Sequence, residues 1–215
     1  MNTRFLPQFP LQLVVFPGEH LNLHIFEARY RQLIKECAEK EMTFGIPPVQ
    51  KGKLKEIGTE VQLLAIEKKY PDGKMDIRTQ GIGIFEIKEY YPKAPERLYA
   101  GAEVEHLSFS LAGDILANNR LVEKIKELYS ILKVDKKLPK DPADFQTYDY
   151  AHHVGFSLEQ EIQFLSILEE VDRQAYMEEH LDRFLPVVQE MESLRERIKL
   201  NGHFKDAIPP NIREF

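Results

Sequence analysis

Along the first hundred positions the apolar residues recur mostly at every second place. Leu11, Leu13 and Val15 alternate with Gln12 and Val14, and Leu21, Leu23 and Ile25 alternate with Asn22 and His24, the period of half-buried strands. Pro17-Gly18 divides the two, and Met1 to Pro10 reads as an extended lead-in held by Pro7 and Pro10. At Glu27 the period lengthens. Tyr30, Leu33, Ile34, Cys37 and Ala38 fall at helical spacing and predict a helix over 27–41. Short strands follow at 43–46 and 59–69, then a Tyr70-Pro-Asp-Gly-Lys74 hairpin turn and a return strand at 75–79. A further strand at 80–91 carries Gly81 and Gly83 as a bulge or bend, and the last runs over 99–107. Sequential strands with one helix predict a small antiparallel or mixed barrel over residues 1–108.

Beyond residue 108 the helical period takes over. Ile115, Val122, Ile125, Tyr129 and Leu132 mark a helix over 112–133, and Asp141-Pro142 caps a short one that Gly155 can close. Ser157-Leu-Glu-Gln160 has the spacing of a capping box. The longest stripe, Met177, Leu181, Phe184, Val188, Met191, Leu194 and Ile198, spans about 173–200 with a break or kink at Pro186. The expected organisation is therefore a barrel at 1–108, an antiparallel four-helix bundle at 109–202, and a tail at 203–215 that either docks on the body or is the stub of something further.

Composition narrows the function classes. With 43% hydrophobic and 30% charged residues, no run approaches the roughly 20 apolar residues of a membrane span. The N-terminus lacks the basic start and cleavage site of a signal peptide, so a cytoplasmic location is expected. The single Cys37 sits on an apolar helix face and reads as a buried structural thiol. Residues 1–108 hold fifteen Lys and Arg against fifteen Asp and Glu, so the net charge of −6 falls entirely on residues 109–215. Neither half has the basic excess that neutralises phosphates.

Candidate chemistry is thin. His152 and His153 are adjacent and point about 100° apart on a helix, without the i, i+4 partner of a zinc site; no metal is expected. Glu19 and Glu27 could pair as acid and base, but Glu27 is better placed to open a helix. His24 reads as a structural hydrogen-bonding residue directed to Glu27 or to backbone. No serine lies in a nucleophile elbow, and no phosphate-binding loop is present, since Gly52-Lys53 is followed by Leu54 and Gly73-Lys74 by Met75. Aromatic residues remain as interface anchors: Phe5, Phe9, Phe16, Phe26, Tyr90, Tyr91 and Tyr99 are the candidate peptide-binding residues, with the phenylalanines of the tail.

A family resemblance adds to this reading. Leu6-Pro7, Phe9-Pro-Leu11, Val15-Phe-Pro-Gly-Glu19, Leu23-His-Ile-Phe-Glu27, Arg29-Tyr-Arg31, Phe44-Gly45, Ile57-Gly-Thr59, Pro71-Asp-Gly73, Gly81 and Phe85, followed by Leu138-Pro139, Asp141-Pro-Ala143 and Ser157-Leu-Glu-Gln160, resemble in order and spacing the N-terminal substrate-binding domain of Lon proteases. The resemblance covers roughly residues 5–200. It implies an α+β chain, a PUA-like small β-barrel with one helix followed by an antiparallel α-helical bundle. Within it Pro17, Gly18, Glu19, His24, Glu27, Arg29, Gly81 and Phe85 are motif positions with structural roles. Ala28 stands where the family often has Pro, and Gly83-Ile84 where an Arg pair often precedes the Phe. The ATPase and Ser-Lys protease domains are not encoded, so the expectation is a freestanding, non-catalytic module without cofactor. Its expected partners are unfolded or exposed hydrophobic protein segments, and it would act as adaptor or regulator of proteolysis. A protease or chaperone partner and a weak homo-oligomer stay open, no membrane is expected, and an RNA-binding PUA-like protein or an ATP-independent peptidase are the alternatives.

Overall fold

The computed structural model describes residues 3–203; apart from His203, the tail at 203–215 lies outside them. In chain order the elements are β1 (Thr3–Gln8), β2 (His20–Ile25), α1 (Ala28–Lys40), β3 (Phe44–Ile46), β4 (Val49–Gln50), β5 (Lys53–Leu54), β6 (Ile57–Lys69), β7 (Met75–Tyr91) and β8 (Ala100–Leu107). Helices α2 (Ile115–Leu132), α3 (Leu158–Leu165) and α4 (Glu170–His203) follow, with 3₁₀ turns at Pro142–Asp144 and Thr147–His153. The mixed α+β class read from the sequence holds.

The hairpin signal at 70–74 is realised as written. Tyr70 N–H donates to the Lys74 carbonyl and Gly73 N–H to that of Tyr70, both at 2.9 Å, with Gly73 at φ +84°. The two strands expected after this turn are one 17-residue strand. Near Gly81 and Gly83 it is not broken but bulged, for Val61 faces Gly81 and Glu60 faces Gly83. The strands run in the order β2-β7-β6-β3-β1-β8, and β8 returns to β7 from Ile84↔Leu107 to Tyr91↔Gly101. That last pairing closes a ring of five strands and leaves β2 outside it.

The N-terminal lead-in is the first correction. Thr3–Gln8 is a strand in the ring, paired over six residues with β8 and touching β3 in parallel at Gln8↔Gly45. Pro7 and Gln8 mask it in sequence, yet both are buried, and a ladder to a strand nearly a hundred residues away outweighs their low strand propensity. Residues 11–16 are the converse. Their alternation predicts a strand, but Val14, Val15 and Phe16 are all buried in succession, and the segment is held at separate points, with Leu11 accepting from Val49 N–H at 2.7 Å and Val15 from the Thr59 hydroxyl.

Helix α1 lays Tyr30, Leu33, Ile34 and Cys37 onto a core with Phe9, Phe44, Ile46, Val61, Ile77 and Tyr99. A second cluster, Leu6, Phe85, Ile87, Ala102 and Val104, fills another part of the sheet. Phe85 fits because Gly45 and Gly58 face it; a Cβ on either would lie 2.7 or 2.5 Å from its ring. Burial pushes the Cys37 thiol up to about 12, as a structural cysteine requires.

By internal packing, the chain up to Asp114 together with Gln146–Gln174 makes one compact unit, and Ile115–Phe145 with the chain from Ala175 makes another. Within the first, Ser157 caps α3 and completes the expected box with Gln160. Also within it, Glu170 and Arg173 are both buried and joined at 2.8 Å. Within the second, α2 buries Leu121, Ile125 and Leu128, and α4 buries Met177, Leu181, Leu185 and Val188. Arg120 to Glu178 at 2.9 Å and Lys124 to Asp182 at 2.5 Å ascend both helices together, so α2 and α4 run in the same direction, which the long segment between them permits. Two further expectations change here. The segment 141–154 is two 3₁₀ turns, and the α4 stripe is buried only as far as Val188, with Met191, Leu194 and Ile198 exposed. Pro186 stays inside one continuous helix.

Candidate functional site

The motif around residues 16–19 proves to be a joint. Gly18 adopts φ +85°, Glu19 N–H donates to the Phe16 carbonyl at 3.1 Å, and the Glu19 carboxylate accepts the Phe16 N–H at 2.8 Å. Gly81 locks this turn to β7: Gly18 N–H reaches the Gly81 carbonyl and Gly81 N–H the Glu19 carbonyl, each at 2.9 Å. A Cβ at residue 81 would lie 2.4 Å from the Phe16 oxygen. Buried Phe16 stacks on Tyr148 at 5.3 Å and meets Phe164 edge-on at 5.9 Å. His152, far off in sequence, bridges Glu19 at 3.1 Å and Glu161 at 2.7 Å. Burial lowers its pKa, but hydrogen bonds to Glu161 and Glu19 prevail and raise it to about 9. His152 and Glu19 are therefore a structural clamp. Among the described residues, no group of three or more His, Cys, Asp and Glu is arranged to hold a metal.

His24 does not bond Glu27. Its Nδ1 meets Asp76 across the strand pair at 2.6 Å, and the Glu27 carboxylate, at the N-cap of α1, makes no capping bond but accepts from Arg29 Nε at 2.8 Å. Arg29 also lies 4.5 Å above the Tyr30 ring.

The aromatic candidates divide by burial. Phe9, stacked on Tyr30, and Phe16 are interior, and Tyr99 is 2% exposed; none of the three presents a free ring face, because each is consumed by core packing. Tyr90 and Tyr91 are half-buried at the end of β7. Phe5 and Phe26 stand out, 43% and 59% exposed, and of the two only Phe5 lines one of the two grooves described next.

The first groove, about 630 Å³, is walled by β1, the end of α1 and the 94–99 loop. Phe5 lies over Gly101, where a Cβ would come within 2.4 Å of its ring. Pro7, Met42, Ala94 and Pro95 continue the apolar wall, and most of the charged groups pair with one another. The Tyr99 hydroxyl donates to Glu36 at 3.0 Å and Arg97 pairs with the same carboxylate at 3.0 Å. Burial pushes Glu36 up, but Tyr99, Gln32 and Arg97 together hold it below the usual carboxylate range. Burial first, and Glu36 second, push Tyr99 up to about 12. Buried Glu60 accepts from Arg4 and from the Thr43 hydroxyl, with His106 Nδ1 at 3.3 Å. Since His106 Nε2 faces Arg4 Nε at 2.8 Å as acceptor, the ring proton sits on Nδ1, toward Glu60. Carboxylates so fully engaged are poor general bases; the groove is equipped to bind, with an apolar wall and a charged rim.

The second groove, about 600 Å³, runs between α1 and the β6–β7 hairpin. Tyr70 belongs to its wall, and His24, on which Phe26 stacks, meets the edge of Tyr70 at 5.7 Å. The Tyr70 hydroxyl donates to Asp76 at 2.7 Å, and hydrogen bonds from His24 and Tyr70 hold the Asp76 carboxyl below its ordinary value. Sequence reasoning missed Glu60, Arg97 and Gly101. Only their spatial gathering distinguishes them, and no local spacing encodes it.

A small closed barrel carrying one helix and followed by further helices defines the class. Residues 6–183 match the family model of the ATP-dependent protease La (LON) substrate-binding domain, and the chain belongs to that family. It is similar in structure to a Lon N-terminal domain protein from Xanthomonas campestris, with TM-score 0.61 and 23% identity over 79% of this chain and 94% of that one. The N-terminal domain of a Mycobacterium avium complex Lon protease is also similar, with TM-score 0.60 and 14% identity over 83% and 98% of the two chains. No curated protein matches the chain in sequence. Among the described residues no helix is long and apolar enough to cross a membrane.

Proposed function

We propose that this chain is a non-catalytic recognition module for unfolded or exposed hydrophobic protein segments, acting as an adaptor or regulator of proteolysis. Membership of a substrate-binding family gives the general role. The observation that carries the reading to a site is Phe5, a large ring left 43% exposed on an apolar wall beside which Arg4 pairs with Glu60, and Lys40 and Arg97 with Glu36. Exposed aromatic anchors beside an apolar cleft suit a protein segment, and a site whose ionisable groups neutralise one another is suited to binding rather than turnover. The test is a titration of the full chain against a cysteine-alkylated, permanently unfolded polypeptide and against the folded form of the same protein. The unfolded form binds and the folded form does not, and Phe5→Ala weakens binding at least fivefold with an unchanged circular dichroism spectrum. Equal binding of both forms, or an unaffected Phe5→Ala variant, would count against the assignment.

A further inference from the structure

The groove between α1 and the β6–β7 hairpin differs in character from the one beside Phe5. Its floor is apolar, formed by Ala38, Ile66 and Met75, whereas its rim carries four cations, Arg31, Lys35, Lys69 and Lys74, against the single carboxylate of Glu39. These cations are only partly neutralised. Lys35 reaches Glu39 at 3.8 Å with both side chains more than half exposed, and Lys74 pairs with Asp72 at 2.7 Å. Arg31 spends one Nη on the Asp72 carbonyl at 2.8 Å. Among the described residues neither Arg31 nor Lys69 makes an ion pair with a carboxylate. A positive rim of this kind is a local departure in a chain of net charge −6. The Tyr70 ring, with Lys68 Nζ 4.6 Å from it, belongs to the same wall.

A ligand that satisfies both floor and rim carries apolar side chains on one face and carboxylates beside them. The helix-in-groove mode of peptide recognition has this form, and opposite charge at the rim supplies steering and register. Nucleic acid fits less well, because the four cations, two of them already paired with carboxylates, neutralise few phosphates. We propose that this groove seats an acidic amphipathic segment of a partner protein, its apolar residues on Ala38, Ile66 and Met75 and its carboxylates against Arg31, Lys35 and Lys69. The proposal rests on the reading of the chain as a recognition module, and adds a second surface with a narrower ligand.

The experiment is fluorescence anisotropy on the full chain with a labelled synthetic peptide that places Leu and Phe on one helical face and Glu on the rest. One control peptide replaces every Glu by Lys, another replaces the apolar residues by Ser, and a single-stranded RNA tests the phosphate alternative. The acidic amphipathic peptide binds, both control peptides bind at least tenfold more weakly, and affinity falls as salt rises. Lys35→Glu combined with Lys69→Glu lowers peptide affinity at least tenfold, while the thermal midpoint and the binding of the unfolded polypeptide stay as in the parent. Equal affinity for the Lys peptide, or indifference to the double variant, overturns the proposal. So does RNA that displaces the peptide and loses its own binding in that variant. Binding of the unfolded polypeptide without binding of the acidic peptide sinks this inference alone, whereas failure of both sinks the recognition reading with it.

Discussion

Arg173→Met removes the most buried charge among the described residues. The Arg173 side chain is 0% exposed and its partner Glu170 1%. The guanidinium gives Nε and Nη2 to Glu170 at 2.9 and 2.8 Å, Nη1 to the Ile167 carbonyl at 2.7 Å, Nη2 also to the Ser110 carbonyl, and it lies 4.2 Å from the Tyr148 ring. Glu170 in turn accepts the N–H and the hydroxyl of Thr147, both at 2.9 Å. Methionine keeps the apolar stem but leaves a buried carboxylate with Thr147 alone, and breaking such a pair costs about 3–5 kcal/mol. The Ile167 and Ser110 carbonyls lose their donor in either variant, so Glu170→Leu combined with Arg173→Met exchanges the unpaired buried carboxylate for two orphaned Thr147 donors, at about 1 kcal/mol each. The double variant is therefore less destabilised than Arg173→Met by at least about 1 kcal/mol, although it carries more changes. Urea unfolding followed by far-UV circular dichroism and tyrosine fluorescence measures this, the chain having no tryptophan. A single-variant loss below about 1 kcal/mol, or a double variant whose loss equals the sum of the two singles, would refute the account.

The His152 clamp makes stability depend on alkaline pH. Its pKa is raised to about 9 in the folded chain, so its contribution is complete below about 6.5, the unfolded value, and is lost as pH rises through about 9. That shift corresponds to at most about 3 kcal/mol, and water access at a side chain 30% exposed reduces it to about 1–2 kcal/mol; urea midpoints at pH 6.5 and 9.5 should show the loss, and His152→Asn should abolish most of the difference. Gly81→Ala pushes a methyl into the Phe16 carbonyl, a backbone atom pinned by its own turn, and should lower stability by about 1–3 kcal/mol in thermal melts. A melt identical to the parent would mean that the turn can move away. Cys37, with its thiol pushed up to about 12, should resist iodoacetamide at pH 8 in the native chain and react in urea; rapid native labelling would show that α1 opens.

The features legible in sequence are those fixed by neighbours. The period over 27–41, the Pro-Asp-Gly turn at 71–73 and the Ser157–Gln160 box each specify their own backbone. Where distant pairing decides, local pattern misleads. Pro7 and Gln8 look like a linker yet occupy a strand because β8 supplies the ladder. Leu11 and Leu13 alternate like strand residues but are only half-buried beside a run of four buried ones. Aromatic residues are visible as a composition, not as surfaces: Phe5 and Phe9 look alike in the chain, but Gly101 gives one an exposed seat and Tyr30 takes the other into the core. His152 was visible as one of a histidine pair, and nothing near it points to Glu19, 133 residues away.

Ring closure by β7 and β8 also bears on how the protein survives its own work. A closed sheet has few free edges, and among the described residues they include β2 and the outer part of β6. They carry His20, Asn22 and His24 on one side and Glu67, Lys68 and Lys69 on the other, polar and charged groups that discourage edge-to-edge pairing. On the proposed reading, in which the module meets unfolded chains, such polar edge residues give those chains few flat apolar edges to pair with.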